Sequence, residues 1–146
     1  MKKWTRDIIA AFITILSVWL LTSCARVFPN DKLDYLWRLD KVCYSNSGTG
    51  NYEVEKSGIW YAFARDLVEI RDGETNGPIG VLTDYGDSIK IDYSMYCEVA
   101  EYDTESLLRY LSNCGITSLT TVFKIEWQGC NMILSNNDTR LFFTKW

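Results

Sequence analysis

The residues able to do chemistry are unevenly supplied in this chain. Histidine is absent, which removes the commonest general base and the commonest metal ligand together. Composition alone therefore excludes a Ser–His or Cys–His nucleophile pair. Carboxylates are plentiful: Glu53, Glu55, Glu69, Asp72, Glu74, Asp84, Asp87, Glu98, Glu101, Asp103 and Glu105. They fall at turns and on the outward positions of alternating segments, where water solvates them, so no acid–base pair stands out. Asp72 to Gly77 has neither the length nor the spacing of an EF-hand loop. There are five cysteines but no CxxC pair, so the expectation is no metal, no cofactor and no enzyme. One thiol stands apart, at Cys24, behind Leu21, Thr22 and Ser23.

The elements that would position Cys24 are a basic start and an apolar run. Lys2, Lys3 and Arg6 precede a largely apolar stretch from Ile8 to Leu21. That stretch is shorter than the roughly 20 residues a bilayer span needs and suits the apolar core of a signal peptide. Leu21-Thr22-Ser23-Cys24 resembles the lipobox of bacterial lipoproteins: a leucine, two small residues that admit the peptidase, and a cysteine whose thiol accepts diacylglycerol. The resemblance implies a signal peptide at 1–23, lipid (palmitate among its chains) on Cys24, and a tether at 24–32. It places the protein in the bacterial cell envelope. The absence of an acidic run after Cys24 favours a periplasm-facing position.

The whole chain carries a net charge of −4, and its basic leader makes the remainder more acidic still. An acidic surface without a basic run argues against nucleic acid and against electrostatic adhesion to anionic lipid. From Leu33 on there is one domain's worth of sequence. Period-two alternation marks strands at Tyr35–Tyr44, Ile59–Phe63, Leu67–Arg71, Ile79–Thr83, Ser88–Ser94, Thr120–Gln128, Asn131–Ser135 and Arg140–Trp146. Polar, glycine-bearing turns separate them. One segment has helical spacing: Thr104–Asn113, with Leu107, Leu108 and Leu111 on one stripe. Asp103 or Thr104 can cap its start, and Gly115 can end it with Ile116 folding back.

About eight short strands and one helix before the last three strands predict an all-β barrel or sandwich. The motifs Trp37-Arg38-Leu39, Gly86-Asp87-Ser88-Ile89-Lys90-Ile91 and Gly115-Ile116 carry a closer likeness. So do the spaced residues Phe123, Ile125, Met132, Leu134, Leu141, Phe143 and Lys145. Together they resemble the lipocalin-like domains of small Bacteroidetes lipoproteins, across 33–146. The resemblance implies a lipocalin-like antiparallel up-and-down barrel whose role is binding.

An eight-stranded barrel is just wide enough to be filled by its own side chains or to hold one small ligand. Trp37, Trp60, Tyr61, Phe123 and Trp127 are the candidates to line an apolar cavity; as core, the same rings would fill it. The expected partners are the membrane through Cys24, with either a small apolar ligand or an envelope protein. For an envelope protein, the 45–58 or 95–103 loops and the tyrosines Tyr93, Tyr96 and Tyr102 would supply the contact. In an alternating meander, Cys43, Cys97 and Cys114 share one end of the barrel and Cys130 lies at the other. A Cys97–Cys114 disulfide, worth about 3 kcal/mol, is the expected bridge, with Cys130 free; the alternative is that all four cysteines after Cys24 are reduced, buried fillers.

Overall fold

In the computed structural model the described residues are 32–45, 51–73, 75–100 and 103–146; the side chains of 97–99 are not described. The signal peptide, Cys24 and the tether up to residue 31 lie outside the described residues. The strands are β1 (Leu36–Tyr44), β2 (Tyr52–Glu55), β3 (Ile59–Ala64), β4 (Leu67–Asp72), β5 (Ile79–Asp84), β6 (Ser88–Asp92), β7 (Thr120–Gln128), β8 (Asn131–Ser135) and β9 (Thr139–Lys145). Two helices, α1 (Ser94–Val99) and α2 (Thr104–Asn113), intervene between β6 and β7.

Every pairing is antiparallel, and β9 pairs back onto β1 to close the sheet. β2 and β3 occupy one position in this barrel. β2 pairs with Lys41–Tyr44 of β1, and β3 pairs with Leu36–Arg38 along the same edge. The break between them falls at Gly58, whose φ of +76° suits glycine. The result is the expected closed barrel of eight strand positions. β2 was not expected from the sequence, because Tyr52–Glu55 has one half-buried residue, Val54, and no inward stripe.

Alternation places one residue in two inside. Trp37 and Leu39 of β1, Tyr61 and Phe63 of β3, Val68 and Ile70 of β4, Ile89 and Ile91 of β6, Phe123 and Ile125 of β7, and Leu141 and Phe143 of β9 are all buried. In β1 the register against β9 shifts between Leu39 and Lys41. This bulge at Asp40 lets Leu39 and Val42, three positions apart, both point inward. Tyr35, expected to share the face of Trp37, lies just before β1 and is exposed.

The helical segment follows its sequence signals. Asp103 accepts from the Ser106 amide at 2.9 Å to cap α2, and Leu107 and Leu111 are its buried residues. Gly115 has φ +94° and the Ile116 amide returns to the Leu111 carbonyl at 2.9 Å. The shorter α1 replaces the expected end of β6. Asp92 draws both the amide and the hydroxyl of Ser94 onto its carboxylate, which turns the chain out of the strand. These hydrogen bonds, the Ser94 hydroxyl's first, hold the Asp92 carboxyl below its ordinary range.

Candidate functional site

The two ends of the barrel are closed differently. At the end where the described chain enters, Leu33 and Trp37 are buried and the Trp37 indole donates to the Leu33 carbonyl at 3.1 Å. Trp127, half-buried, packs against Trp37 with ring centroids 5.7 Å apart. At the other end α2 lies over the mouth, fastened by three hydroxyl groups of the wall. Tyr44 of β1 donates to the Ser112 carbonyl at 2.9 Å. Tyr61 of β3 donates to the Cys114 carbonyl at 2.8 Å. Thr139 of β9 donates to the Gly115 carbonyl at 3.0 Å. Ser112 lies in the last turn of α2 and Cys114 and Gly115 follow it, so the wall hydroxyls bind the carbonyls where the helix ends and the chain leaves it.

Between the two closures, side chains of the described residues pack across the interior. The Tyr61 ring meets Phe143 edge-on at 4.9 Å and stacks on Phe63 at 6.1 Å. A Cβ on Gly115 would come within 2.6 Å of Leu141, and one on Gly80 within 2.9 Å of the Tyr93 ring. Of the five candidate lining residues, Trp37, Tyr61 and Phe123 are buried within this packing. Trp127 half-buries at the entry end. Trp60 stands on the outer wall, because its neighbours Ile59 and Tyr61 both point inward, and packs on Trp146 with centroids 4.9 Å apart. The five therefore do not form one cavity wall.

Beneath α2 lies a cluster of phenols and one thiol. Tyr93 is fully buried, where the sequence reading had offered it to a partner surface, and its hydroxyl has no hydrogen-bond partner among the described residues. Burial holds the Tyr61 and Tyr93 phenols well above their ordinary range, with Cys114 the next cause for each. Cys114 is a buried free thiol, pushed up to about 12 by burial and secondarily by the carboxylate of Asp72. The expected Cys97–Cys114 bridge therefore does not appear in the structure; the Cys97 side chain itself is outside the described residues. Cys43, half-buried near the same end, donates to Glu53 at 3.3 Å; burial first, then this hydrogen bond, raises its thiol. Cys130 is exposed in the turn at the entry end.

Three clefts lined by described residues open on the outside of the barrel. The one at the helical mouth, about 300 Å³, lies between the 72–78 turn and the helices. Tyr96, Leu107 and Tyr110 give it apolar surface; Asp72, Thr75 and Asn76 give it polar groups. Gly77 fits here because a Cβ would strike the Ile70 carbonyl oxygen and come within 2.9 Å of the Tyr110 hydroxyl. The other two clefts, about 220 and 410 Å³, flank Phe142 on the outer face near β1, β8 and β9. None of the three is lined by Trp37, Trp60, Tyr61, Phe123 or Trp127. The sequence reading missed the mouth cleft. Its 72–78 wall was read only as a turn, although Tyr110, three residues after Leu107, falls on the helix face that meets it. No group of three or more acidic or cysteine side chains among the described residues is placed to hold a metal ion.

A protein-family model described as the lipocalin-like domain matches residues 19–146. Two solved structures are similar in fold. One is an uncharacterized protein from Bacteroides eggerthii, with TM-score 0.57 and 20% identity over 77% of this chain and 98% of that one. The other is a lipocalin-like protein from Bacteroides uniformis, with TM-score 0.56 and 20% identity over 78% of this chain and 98% of its own. No functionally curated protein matches.

Proposed function

The chain belongs to the lipocalin-like domain family, and from that premise we propose that it is a non-catalytic binding protein of the bacterial envelope, holding a small amphipathic ligand at the mouth of its barrel. In this reading the signal peptide 1–23 is removed, lipid on Cys24 anchors the protein, and the domain faces the periplasm. The observation that supports the ligand's position is the ring packing inside the barrel, together with a mouth cleft in which two tyrosines and a leucine face Asp72, Thr75 and Asn76. The apolar ligand expected inside the barrel thus moves outward, to a place where Tyr96 and Leu107 cover its apolar part and Asp72 and Asn76 meet its polar part.

The test uses residues 25–146 and the neutral fluorescent probe 1-aminoanthracene. Saturable one-site binding that disappears in urea, weakens more than about tenfold (about 1.4 kcal/mol) in Tyr96→Ala and stays unchanged in Trp60→Phe is the expected result. Absence of saturable binding overturns the ligand reading. A second reading, a protein-interaction module, is favoured by β2, which among the described residues pairs with β1 alone and has no partner on its other edge. Capture of an envelope protein that Val54→Pro abolishes would support it.

A further inference from the structure

The barrel's entry end carries a collar of exposed rings that the binding reading does not use. Tyr35 is 46% exposed, Tyr85 58% and Trp146 75%. Trp146 folds across β1: its amide donates to the Leu36 carbonyl at 3.1 Å and its ring reaches Trp60 on the far side. The Lys145 ammonium sits 3.1 Å from the Tyr35 ring centroid. Leu67, exposed beside the β3–β4 turn, adds an aliphatic surface at the same end. Soluble surfaces expose single apolar residues routinely; two indoles in contact, with tyrosines and a leucine around one rim, are a patch.

The chain outside the described residues fixes what this patch can meet. The entry segment is clamped to the same end, since Asp34 accepts from the Arg65 amide at 2.9 Å and the Trp37 indole donates to Leu33. Cys24 and Leu33 are nine residue steps apart, a reach of at most about 32 Å when fully extended. A lipid on Cys24 therefore holds this end, rather than the helical end, next to the bilayer. Tryptophan and tyrosine rings partition to the headgroup region, where an apolar body and a polar edge are both satisfied. The cations Lys32, Arg65 and Lys145 are outnumbered at this end by Asp34, Asp66, Asp84 and Asp87. The contact is thus aromatic and not a basic patch seeking anionic lipid.

We infer that the Tyr35–Trp60–Trp146 collar docks on the surface of the membrane that holds the lipid anchor, so that the barrel stands on its entry end with the mouth cleft facing away. This inference rests on the anchoring of Cys24 proposed above. Among the described residues no helix is long and apolar enough to cross a membrane, and the contact is peripheral.

The full chain, expressed with its leader, is reconstituted into phosphatidylcholine vesicles with or without bromine on the acyl chains, and tryptophan emission is compared. Mass spectrometry of the peptide bearing Cys24 is done on the same sample. The expected result is an acylated Cys24, emission lower in the brominated vesicles at both low and high salt, and loss of most of that quenching in the Trp60→Phe/Trp146→Phe variant. Acylated protein with equal emission in both vesicles overturns the collar and leaves the anchor standing; the rings then face water or another protein. Quenching retained in the double variant also overturns the collar. An unacylated Cys24 overturns the anchor and the collar with it.

Discussion

The two ends of this barrel solve the same problem with opposite chemistry. The helical end is shut by directed hydrogen bonds: hydroxyls of Tyr44, Tyr61 and Thr139 hold three carbonyls at the end of α2. The entry end is shut mainly by ring packing, Trp37 against Trp127, with one indole hydrogen bond. Directed bonds fix a helix in one place and so can shape a cleft beside it. Ring packing is less directional than a hydrogen bond and suits an end that has only to be closed.

The contrast makes measurable claims. The largest effect is expected from Trp37→Ala, which empties a fully buried indole and removes the partner of Trp127; urea unfolding should show a loss of about 3–5 kcal/mol. Gly115→Ala tests the helical end. It forces a side chain onto φ +94° and against Leu141, with an expected cost of about 2–3 kcal/mol and a weaker affinity at the mouth cleft. Tyr61→Phe leaves the Cys114 carbonyl without its donor and should cost about 1–2 kcal/mol. Tyr93→Phe should cost nothing or stabilise by up to about 1 kcal/mol, because it removes a buried hydroxyl that has no partner among the described residues. Equal losses for Tyr61→Phe and Tyr93→Phe would break the claim that hydrogen bonds, rather than ring packing, close this end.

Alkali provides a further distinction. The Cys114 thiol is held protonated by folding, from its ordinary 9.0 up to about 12. Its contribution is therefore complete below pH 9 and is lost as pH rises from 9 to 12, at about 1.4 kcal/mol for each pH unit in that window. Cys114→Ala should flatten that part of the stability profile and, at neutral pH, cost about 1 kcal/mol for the buried sulfur it removes. Identical alkaline profiles for wild type and variant would show that the thiol contributes nothing to the helical end.

The barrel was legible because its strands alternate. Phe123 and Ile125 against Lys124 and Glu126 already state which face of β7 is inside, and Gly115-Ile116 states where α2 ends. What escaped depends on information that alternation lacks. β2 exists because the bulge at Asp40 and the break at Gly58 give the upper half of β1 its own neighbour; the pattern Tyr-Glu-Val-Glu does not declare that neighbour. α1 hangs on one carboxylate, Asp92, capturing Ser94. Trp60 was misplaced beside Tyr61 although adjacent strand residues face opposite ways, so the parity was there to read. The mouth cleft joins a turn to a helix some thirty residues further on, and that meeting is a property of the closed barrel.

Closure has a temporal consequence as well. Asp40 bonds the hydroxyl of Thr144, 104 residues away, and β1 lacks its second neighbour until β9 arrives. Contacts of such long range form slowly and late in folding, after much of the chain is already available. A chain built this way stays unfinished while it is being made. That delay leaves the edges of β1 and β8 unpaired until β9 arrives, and commits the chain to a closing step that joins its two ends.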